Sequence, residues 1–453
     1  MLGFLVVALC VYGCQRGDHE PATDPARTSL LLIVVDALRP DHLGCHGYGR
    51  DTSPNIDRLA ASSIYFTQAI SQAPMTRTAM PSLLTSLYPA VHRVYSGRTV
   101  LPDGFSTLAE TMRAAGYRTA CFTASPHQKQ SYNFYQGFDV FEGYHEGDGN
   151  RHLPAESLVD TAVDWVRQQA TQPYLLYVHF MDVHTPWEVA GDELDTVCDA
   201  AAFGTTTEQR TCRYDRMIRY VDGHIAQLLS AVDSNATGQR PIVVLTSDHG
   251  EELGERGSWG HGETLFEEVI HVPLLVRLPH ARHPVSRVDR VVRHVDVMPT
   301  VLAALGLEPL APLQGVDLLS RAADGGDPEL TAFSEAAFPK AAQGSELQYL
   351  VAVRDDRWKL LASMSLDPRT MTPGERDPTL TLYDLATDPA ETVDVARRHP
   401  EHLQRLQTEL SRWRTSCNQT RLHFEREHGV TLRWRGELDE ETRKLLRSFG
   451  YVD

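Results

Sequence analysis

Short apolar runs, rich in β-branched residues, recur along the chain, and each ends abruptly at polar residues. Ser29 to Val35 (SLLLIVV) stops at Asp36, Tyr174 to Phe180 (YLLYVHF) stops just before Asp182, and Ile242 to Thr246 (IVVLT) stops at Ser247-Asp248-His249-Gly250. Val272 to Leu278 is a further run of the same kind. Continuous apolar segments of this length suit strands buried on both faces, as in a parallel sheet. Stretches with helical periodicity separate them: Ser106 to Ala115, Glu156 to Gln169 and Arg213 to Val232. The alternation predicts an α/β fold built on a doubly wound, mostly parallel sheet. Ligands on such sheets bind beyond the carboxyl ends of the strands, where the first three runs deliver acids or histidines.

After a predicted helix over Val297 to Leu305 the texture changes. Tyr349 to Leu361 alternates in part and contains Arg357-Trp358-Lys359-Leu360; Leu382-Tyr383-Asp384-Leu385 follows, then a turn at Thr387-Asp388-Pro389. His402 to Trp413 reads as an amphipathic helix. These features predict a small antiparallel sheet with a packed helix. The expected organisation is a leader and tether over 1–28, a catalytic domain over 29–315 and a C-terminal α+β subdomain over 316–453.

A chain of 453 residues with 42% hydrophobic and 23% charged positions is long enough for one large core and a smaller one. The net charge of -17 argues against unassisted binding to nucleic acid or an anionic membrane surface. An anionic substrate is still allowed, provided a local cation holds it. Met1 to Gly13 is almost wholly apolar and has the length of a signal h-region. It ends Val11-Tyr12-Gly13-Cys14, like a bacterial lipoprotein cleavage box, although the n-region lacks Lys and Arg. The expectation is export to the periplasm or membrane anchoring through a lipidated Cys14; a plain cleaved signal is the alternative. Cys198 and Cys212 flank a small polar stretch that a disulfide could close in an oxidising compartment, with two free thiols the other reading.

Asp36, Asp248 and His249 at neighbouring strand ends can converge on one divalent cation. Oxygen ligands suit Ca, Mg or Mn, and the imidazole leans towards Zn or Mn. Strand-end acids also serve as helix caps. Thr76, in Ala73-Pro74-Met75-Thr76-Arg77-Thr78-Ala79-Met80-Pro81, falls at the start of a predicted helix, where backbone N–H groups favour an anion. Coordination to a metal would make its hydroxyl a nucleophile; the competing role is a helix cap. His179, Asp182 and His184 straddle a strand end, His261 lies in Trp259-Gly260-His261-Gly262-Glu263, and His271 and His294 flank later elements.

Asp36 to Ala60 (DALRPDHLGCHGYGRDTSPNIDRLA) resembles the opening motif of the sulfatase family, within the alkaline-phosphatase superfamily. Thr76 to Pro89 resembles its nucleophile segment, anchored by Ser82-Leu83-Leu84-Thr85 and Leu87-Tyr88-Pro89. Val183 to Trp187, Ser247 to Glu252, Gly260 to Pro273, Leu382 to Asp388 and the tail Leu445 to Val452 are similar to its later motifs. The resemblance implies an alkaline-phosphatase-like fold and hydrolysis of a small-molecule, glycan or lipid ester. It assigns Asp36, Asp248, His249 and Thr76 to a divalent metal (Ca, Mn or Zn), and Thr76 to the nucleophile position. His184 would contact the anionic group or assist the leaving oxygen. His261 falls near the family's basic residue, often lysine. A second metal at Asp182, His184 and His261 is a further implication.

The chain also departs from the family pattern. Position 76 is Thr where most sulfatases carry Cys or Ser for conversion to formylglycine, an aldehyde that threonine cannot yield. Met80 replaces the signature arginine, with Arg77 nearby, and Ala37 replaces a second aspartate. Threonine nucleophiles occur in related phosphodiesterases and phosphoethanolamine transferases. The chemistry therefore suits phosphate esters better than sulfate esters. A phospho-headgroup transferase and a non-catalytic metal-binding protein are the competing readings.

Overall fold

The computed structural model describes residues 28–95, 99–128, 130–143, 153–169, 172–187, 197–198, 205–234, 240–279, 287–323, 330–339, 347–367, 372–373, 378–431 and 433–434. The leader with Cys14 and the tail Leu445 to Val452 lie outside them. Eight strands form the main sheet: β1 (Leu30–Val35), β2 (Ile64–Ile70), β3 (Arg118–Thr123), β4 (Val140–Gly143), β5 (Tyr174–Phe180), β6 (Ile242–Thr246), β7 (His271–Arg277) and β8 (Arg287–Arg293), in the order β8-β2-β7-β6-β1-β5-β3-β4. β1 runs parallel to both neighbours, with Val35 opposite Phe180 and Val34 opposite Thr246. The carboxyl ends of β6, β1 and β5 thus open side by side.

Strand β7 differs from expectation. Its run predicted another parallel strand, yet it pairs antiparallel with both β6 and β2. Between β6 and β7 lie a short hairpin (Glu252–Leu253 with Trp259–Gly260), a 3-10 turn and, as the one α-helix, the four-residue Glu267–Ile270. That is too little for a crossover, so the chain re-enters the sheet from the end where β6 left it.

Side chains of β1 alternate between two cores. Leu31, Ile33 and Val35 pack with Leu158, Val159 and Trp165 of α3 (Ala155–Gln168) and Met217, Ile218 and Val221 of α4 (Thr206–Asp233). Leu30, Leu32 and Val34 pack with Met80 and Leu83 of α1 (Thr76–Thr85), Leu108 and Met112 of α2 (Leu108–Ala114) and Val301 of α5 (Val297–Leu305). Sheet order and helix cover give the doubly wound architecture expected. α4 starts seven residues before its periodic stretch. Its first turns are polar, and a capping box between Thr205 and Glu208 sets the start.

The C-terminal part carries an antiparallel sheet of β9 (Ala332–Pro339), β10 (Leu347–Arg354), β11 (Trp358–Asp367) and β12 (Thr379–Asp384), with Thr372–Pro373 also on β11. Tyr349 to Leu361 therefore spans two strands, reversed at Asp355 to Arg357. The last helix, α6 (Pro400–Glu427), is longer than its predicted stretch; Leu406, Leu410 and Trp413 pack against Val351, Val353 and Leu360 of the sheet. Cys198 and Cys212 are joined as a disulfide. Among the described residues no helix is long and apolar enough to cross a membrane.

Candidate active site

Asp36, Thr76, Asp248 and His249 meet at the carboxyl ends of the central strands, all fully buried. Backbone bonds fix the Asp36 end of β1. Asp36 N donates to Phe180 O at 2.9 Å, Ala37 N to Asp248 Oδ1 at 3.3 Å and Leu38 N to Ser247 Oγ at 2.9 Å. Ala37 adopts a left-handed φ of 60°, and its carbonyl accepts from Tyr214 Oη at 2.7 Å. Left-handed backbone is unfavourable for alanine, so these bonds hold a bend that a free chain would avoid.

Thr76 reaches the same point from β2. The connecting loop is pinned where Ser71 N donates to Ile270 O at 2.8 Å and Ser71 Oγ to Asp248 O at 2.5 Å. The C-terminal sheet braces it too: Ser334 Oγ donates to Ser71 O at 2.5 Å and Glu335 N to Gln72 O at 2.9 Å. Thr76 then opens α1, and its hydroxyl donates to Asp36 Oδ2 at 3.0 Å while lying 3.3 Å from His249 Nε2.

Two buried carboxylate oxygens, Asp36 Oδ1 and Asp248 Oδ2, have no hydrogen-bond partner. His249 Nε2 sits 3.5 Å from the first and 3.6 Å from the second. Its other nitrogen, Nδ1, donates to Gly250 O at 2.8 Å, which leaves the Nε2 lone pair facing the carboxylates. Unsatisfied buried carboxylate oxygens beside an oriented imidazole fit a divalent cation, with the backbone carbonyl as the outer partner that ligating histidines usually have. Asp36, Asp248 and His249 are also the group of described residues whose ligand atoms lie within 4.8 Å of one another. Without a cation, burial and the nearby Asp248 raise the Asp36 carboxyl well above its usual range. Burial pushes Asp248 the same way, but His249, His179 and Thr76 outweigh it and keep Asp248 low.

His261 and His184 stand beside this group. Their ring centroids are 5.0 Å apart, and His261 is 4.1 Å from His249. His184 Nδ1 donates to Thr185 O at 2.6 Å, and His261 Nδ1 pairs with Glu251 Oε2 at 3.0 Å. Burial lowers His184 to about 3 and His261 to about 4, and raises Glu251 to about 7. The Glu251 loop is tied down by Arg39, which donates to Glu251 O at 2.9 Å and to Glu255 at 2.7 Å.

A second metal group from Asp182, His184 and His261 does not form among the described residues. Asp182 Oδ1 instead accepts from Ala155 N at 3.1 Å, at the start of α3. Arg77 lies in α1, but its guanidinium stacks 3.4 Å over the Tyr132 ring and donates to Thr99 O and His127 O. Glu251 and His179 belong to the site's surroundings, and sequence reasoning gave them no role. His179 Nε2 lies 3.2 Å from Asp36 Oδ2. Its signal was a histidine inside an otherwise buried, apolar strand.

The sulfatase family model matches residues 28–307. The chain belongs to the sulfatase family and is an ester-bond hydrolase. The model of the N-sulphoglucosamine sulphohydrolase C-terminal region matches residues 254–416 of this sulfatase-family chain. Choline-sulfatase of Rhizobium meliloti is 25% identical over 445 residues, covering 82% of this chain and 84% of that protein. The ulvan-active sulfatase of Formosa agariphila is 24% identical, with 69% of each chain covered. Human iduronate 2-sulfatase is 26% identical over 61% of this chain, which spans 64% of its length. Among solved structures, the phosphonate monoester hydrolase of Agrobacterium radiobacter shares the fold at a TM-score of 0.68 and 21% identity, covering 89% of this chain and 96% of its own. A 2-O GAG sulfatase aligns with a TM-score of 0.68 at 17% identity, covering 93% and 96%.

Proposed function

We propose that this enzyme cleaves sulfuric or phosphoric esters through Thr76, with Asp36, Asp248 and His249 holding one divalent cation and Thr76 facing it. The carrying observation is the Thr76 hydroxyl, 3.0 Å from Asp36 Oδ2 and 3.3 Å from His249 Nε2, beside two unsatisfied carboxylate oxygens. A cation bound there supplies Lewis-acid polarisation of the ester and acidifies the threonine hydroxyl.

The chain's own groups account for the remaining steps. Thr76 Oγ attacks the phosphorus or sulfur and its proton passes to Asp36 Oδ2 along the existing hydrogen bond. The bond to the leaving oxygen breaks, and that oxygen takes a proton held in the His184, His261 and Glu251 cluster. Water then attacks the Thr76-linked ester and gives a proton back to the His184, His261 and Glu251 cluster, while Asp36 returns its proton to the Thr76 oxygen as the bond from that oxygen to phosphorus or sulfur breaks. The α1 N-terminus favours the negative charge on the transferred group.

Relatives named for choline, ulvan and iduronate sulfates support small-molecule or glycan esters as substrates. The geometry around a threonine serves phosphate diesters and phosphonate esters equally. We also place the enzyme outside the cytoplasm, exported and tethered through Cys14; the Cys198–Cys212 bridge favours an oxidising compartment. Turnover of p-nitrophenyl sulfate, p-nitrophenyl phosphate and bis(p-nitrophenyl) phosphate, with Mn, Zn or Ca added to chelator-treated protein, tests the reading. Full activity in Thr76→Ala, or turnover indifferent to every cation, overturns it.

A further inference from the structure

We propose that His179 is a positioning residue that fixes how Asp36 presents itself, donating from Nε2 to Asp36 Oδ2 and so leaving Oδ1 alone to ligate the cation. This rests on the cation site proposed above and assigns a function to a residue outside it.

The tautomer follows from the partners. Asp36 Oδ2, 3.2 Å from His179 Nε2, belongs to a ligating carboxylate and can only accept, so Nε2 carries the proton. A neutral ring then offers Nδ1 as acceptor, and two donors meet it there: Gln128 Nε2 at 2.9 Å and Tyr177 Oη at 2.7 Å. Gln128 Nε2 also lies 2.7 Å from Tyr177 Oη, so the amide packs against the tyrosine end of the chain. All four side chains are buried. The chain Gln128–Tyr177–His179–Asp36 thus ends in one N–H aimed at one oxygen of a ligand.

That bond divides the work of the carboxylate. Oδ2 receives His179 and the Thr76 hydroxyl, whereas Oδ1 is buried without a partner and lies 3.5 Å from His249 Nε2. The neighbouring Ala37 offers no ligand atom, so the orientation of Asp36 matters more here than it would beside a second carboxylate. Partners of this outer kind change metal affinity about 10–100-fold when removed.

The test is Mn2+ affinity by isothermal titration calorimetry on the full chain, for wild type, His179→Phe and His179→Gln, with the melting temperature of each metal-free protein. Phenylalanine keeps the volume and removes the donor; glutamine places an amide N–H near the position of Nε2. The expected result is a fall in affinity of about 10-fold or more in His179→Phe. His179→Gln should stay within about threefold of wild type, a small part of that loss. Unchanged affinity in His179→Phe overturns the proposal, as does an equal loss in both variants, which would mean direct ligation or simple packing. Wild-type protein that takes up no Mn2+ removes the cation site and this proposal together. Mn2+ uptake without ester cleavage removes only the hydrolytic mechanism, and the variant affinities still decide the role of His179.

Discussion

The Thr76 hydroxyl donates to Asp36 Oδ2 at 3.0 Å, which joins the first turn of a helix to the end of the central strand. Asp36 thereby stands between the proposed cation site and the proposed nucleophile. Thr76→Ala should lower turnover by roughly 10³-fold or more, because no hydroxyl remains to form the ester intermediate. Thr76→Ser should retain activity within about tenfold, since it keeps the oxygen and loses only a methyl group. Cation affinity in Thr76→Ala should change little, as the carboxylates and His249 remain. Steady-state rates with calorimetry separate the two effects, and a serine variant as inactive as the alanine one would deny Thr76 its nucleophilic role.

The paired carboxylates make a second expectation about the cation. In metal-free protein, burial and Asp248 hold Asp36 well above its usual carboxyl range. A neutral amide there should be tolerated, because it avoids placing two charges together. Asp36→Asn should leave the metal-free melting temperature nearly unchanged, yet abolish the rise that Mn2+ or Zn2+ gives wild type. A ligand present at about 100 times its dissociation constant stabilises the native state by roughly 2.7 kcal/mol, a readable shift. An undiminished metal-linked rise in Asp36→Asn would show that the cation binds elsewhere.

Much of this site was legible in the chain because buried parallel strands announce themselves as unbroken apolar runs, and the residue after each run is placed by the sheet. Asp36, Asp248 and His249 could be found that way, and Thr76 by the resemblance of its segment. The direction of β7 could not, since an apolar run reads alike parallel or antiparallel and only the lack of a crossover helix decides. Glu251 and His179 were hidden for another reason. His179 depends on Asp36, far along the chain, and Glu251 on the His261 ring ten residues away, and no local period encodes either meeting. Asp182 shows the converse, an acid at a strand end whose Oδ1 accepts from the backbone N–H that starts α3.

Buried imidazoles away from the cation site predict how stability follows pH. His92 accepts from Val94 N at Nδ1 and meets Ser82 Oγ at 3.0 Å, and burial lowers it to about 3. A histidine depressed in the folded state keeps its stabilising effect above its unfolded value near 6.5 and loses it as pH falls. Between pH 6.5 and 5 this one group should cost about 2 kcal/mol. Urea unfolding across that range should show His92→Gln losing less stability than wild type, even though the variant starts lower. Parallel profiles for the two proteins would assign the acid sensitivity to other groups.

The charges around Thr76 also set an expectation for the substrate. Arg39 is engaged by Asp41 and Glu255, and Arg77 by Tyr132 and two carbonyl groups. Burial holds His179, His184 and His261 low, so they are neutral near pH 7. One divalent cation then only balances Asp36 and Asp248, and Glu251 adds a further negative charge once ionised. A second negative charge on the substrate has no cationic side chain to meet among these described residues. At about 4 Å and an effective dielectric near 20, one unmatched unit charge is worth about 4 kcal/mol. Monoanionic esters, whether sulfate monoesters or phosphate diesters, should therefore exceed dianionic phosphate monoesters in kcat/KM by at least about tenfold at pH 8, a conservative share of that energy. The gap should narrow towards pH 5 as the monoester gains a proton. Comparing bis(p-nitrophenyl) phosphate and p-nitrophenyl sulfate with p-nitrophenyl phosphate across this range decides it, and a preference for the dianion at pH 8 would mean that a further cation or a rearranged Arg77 enters the site.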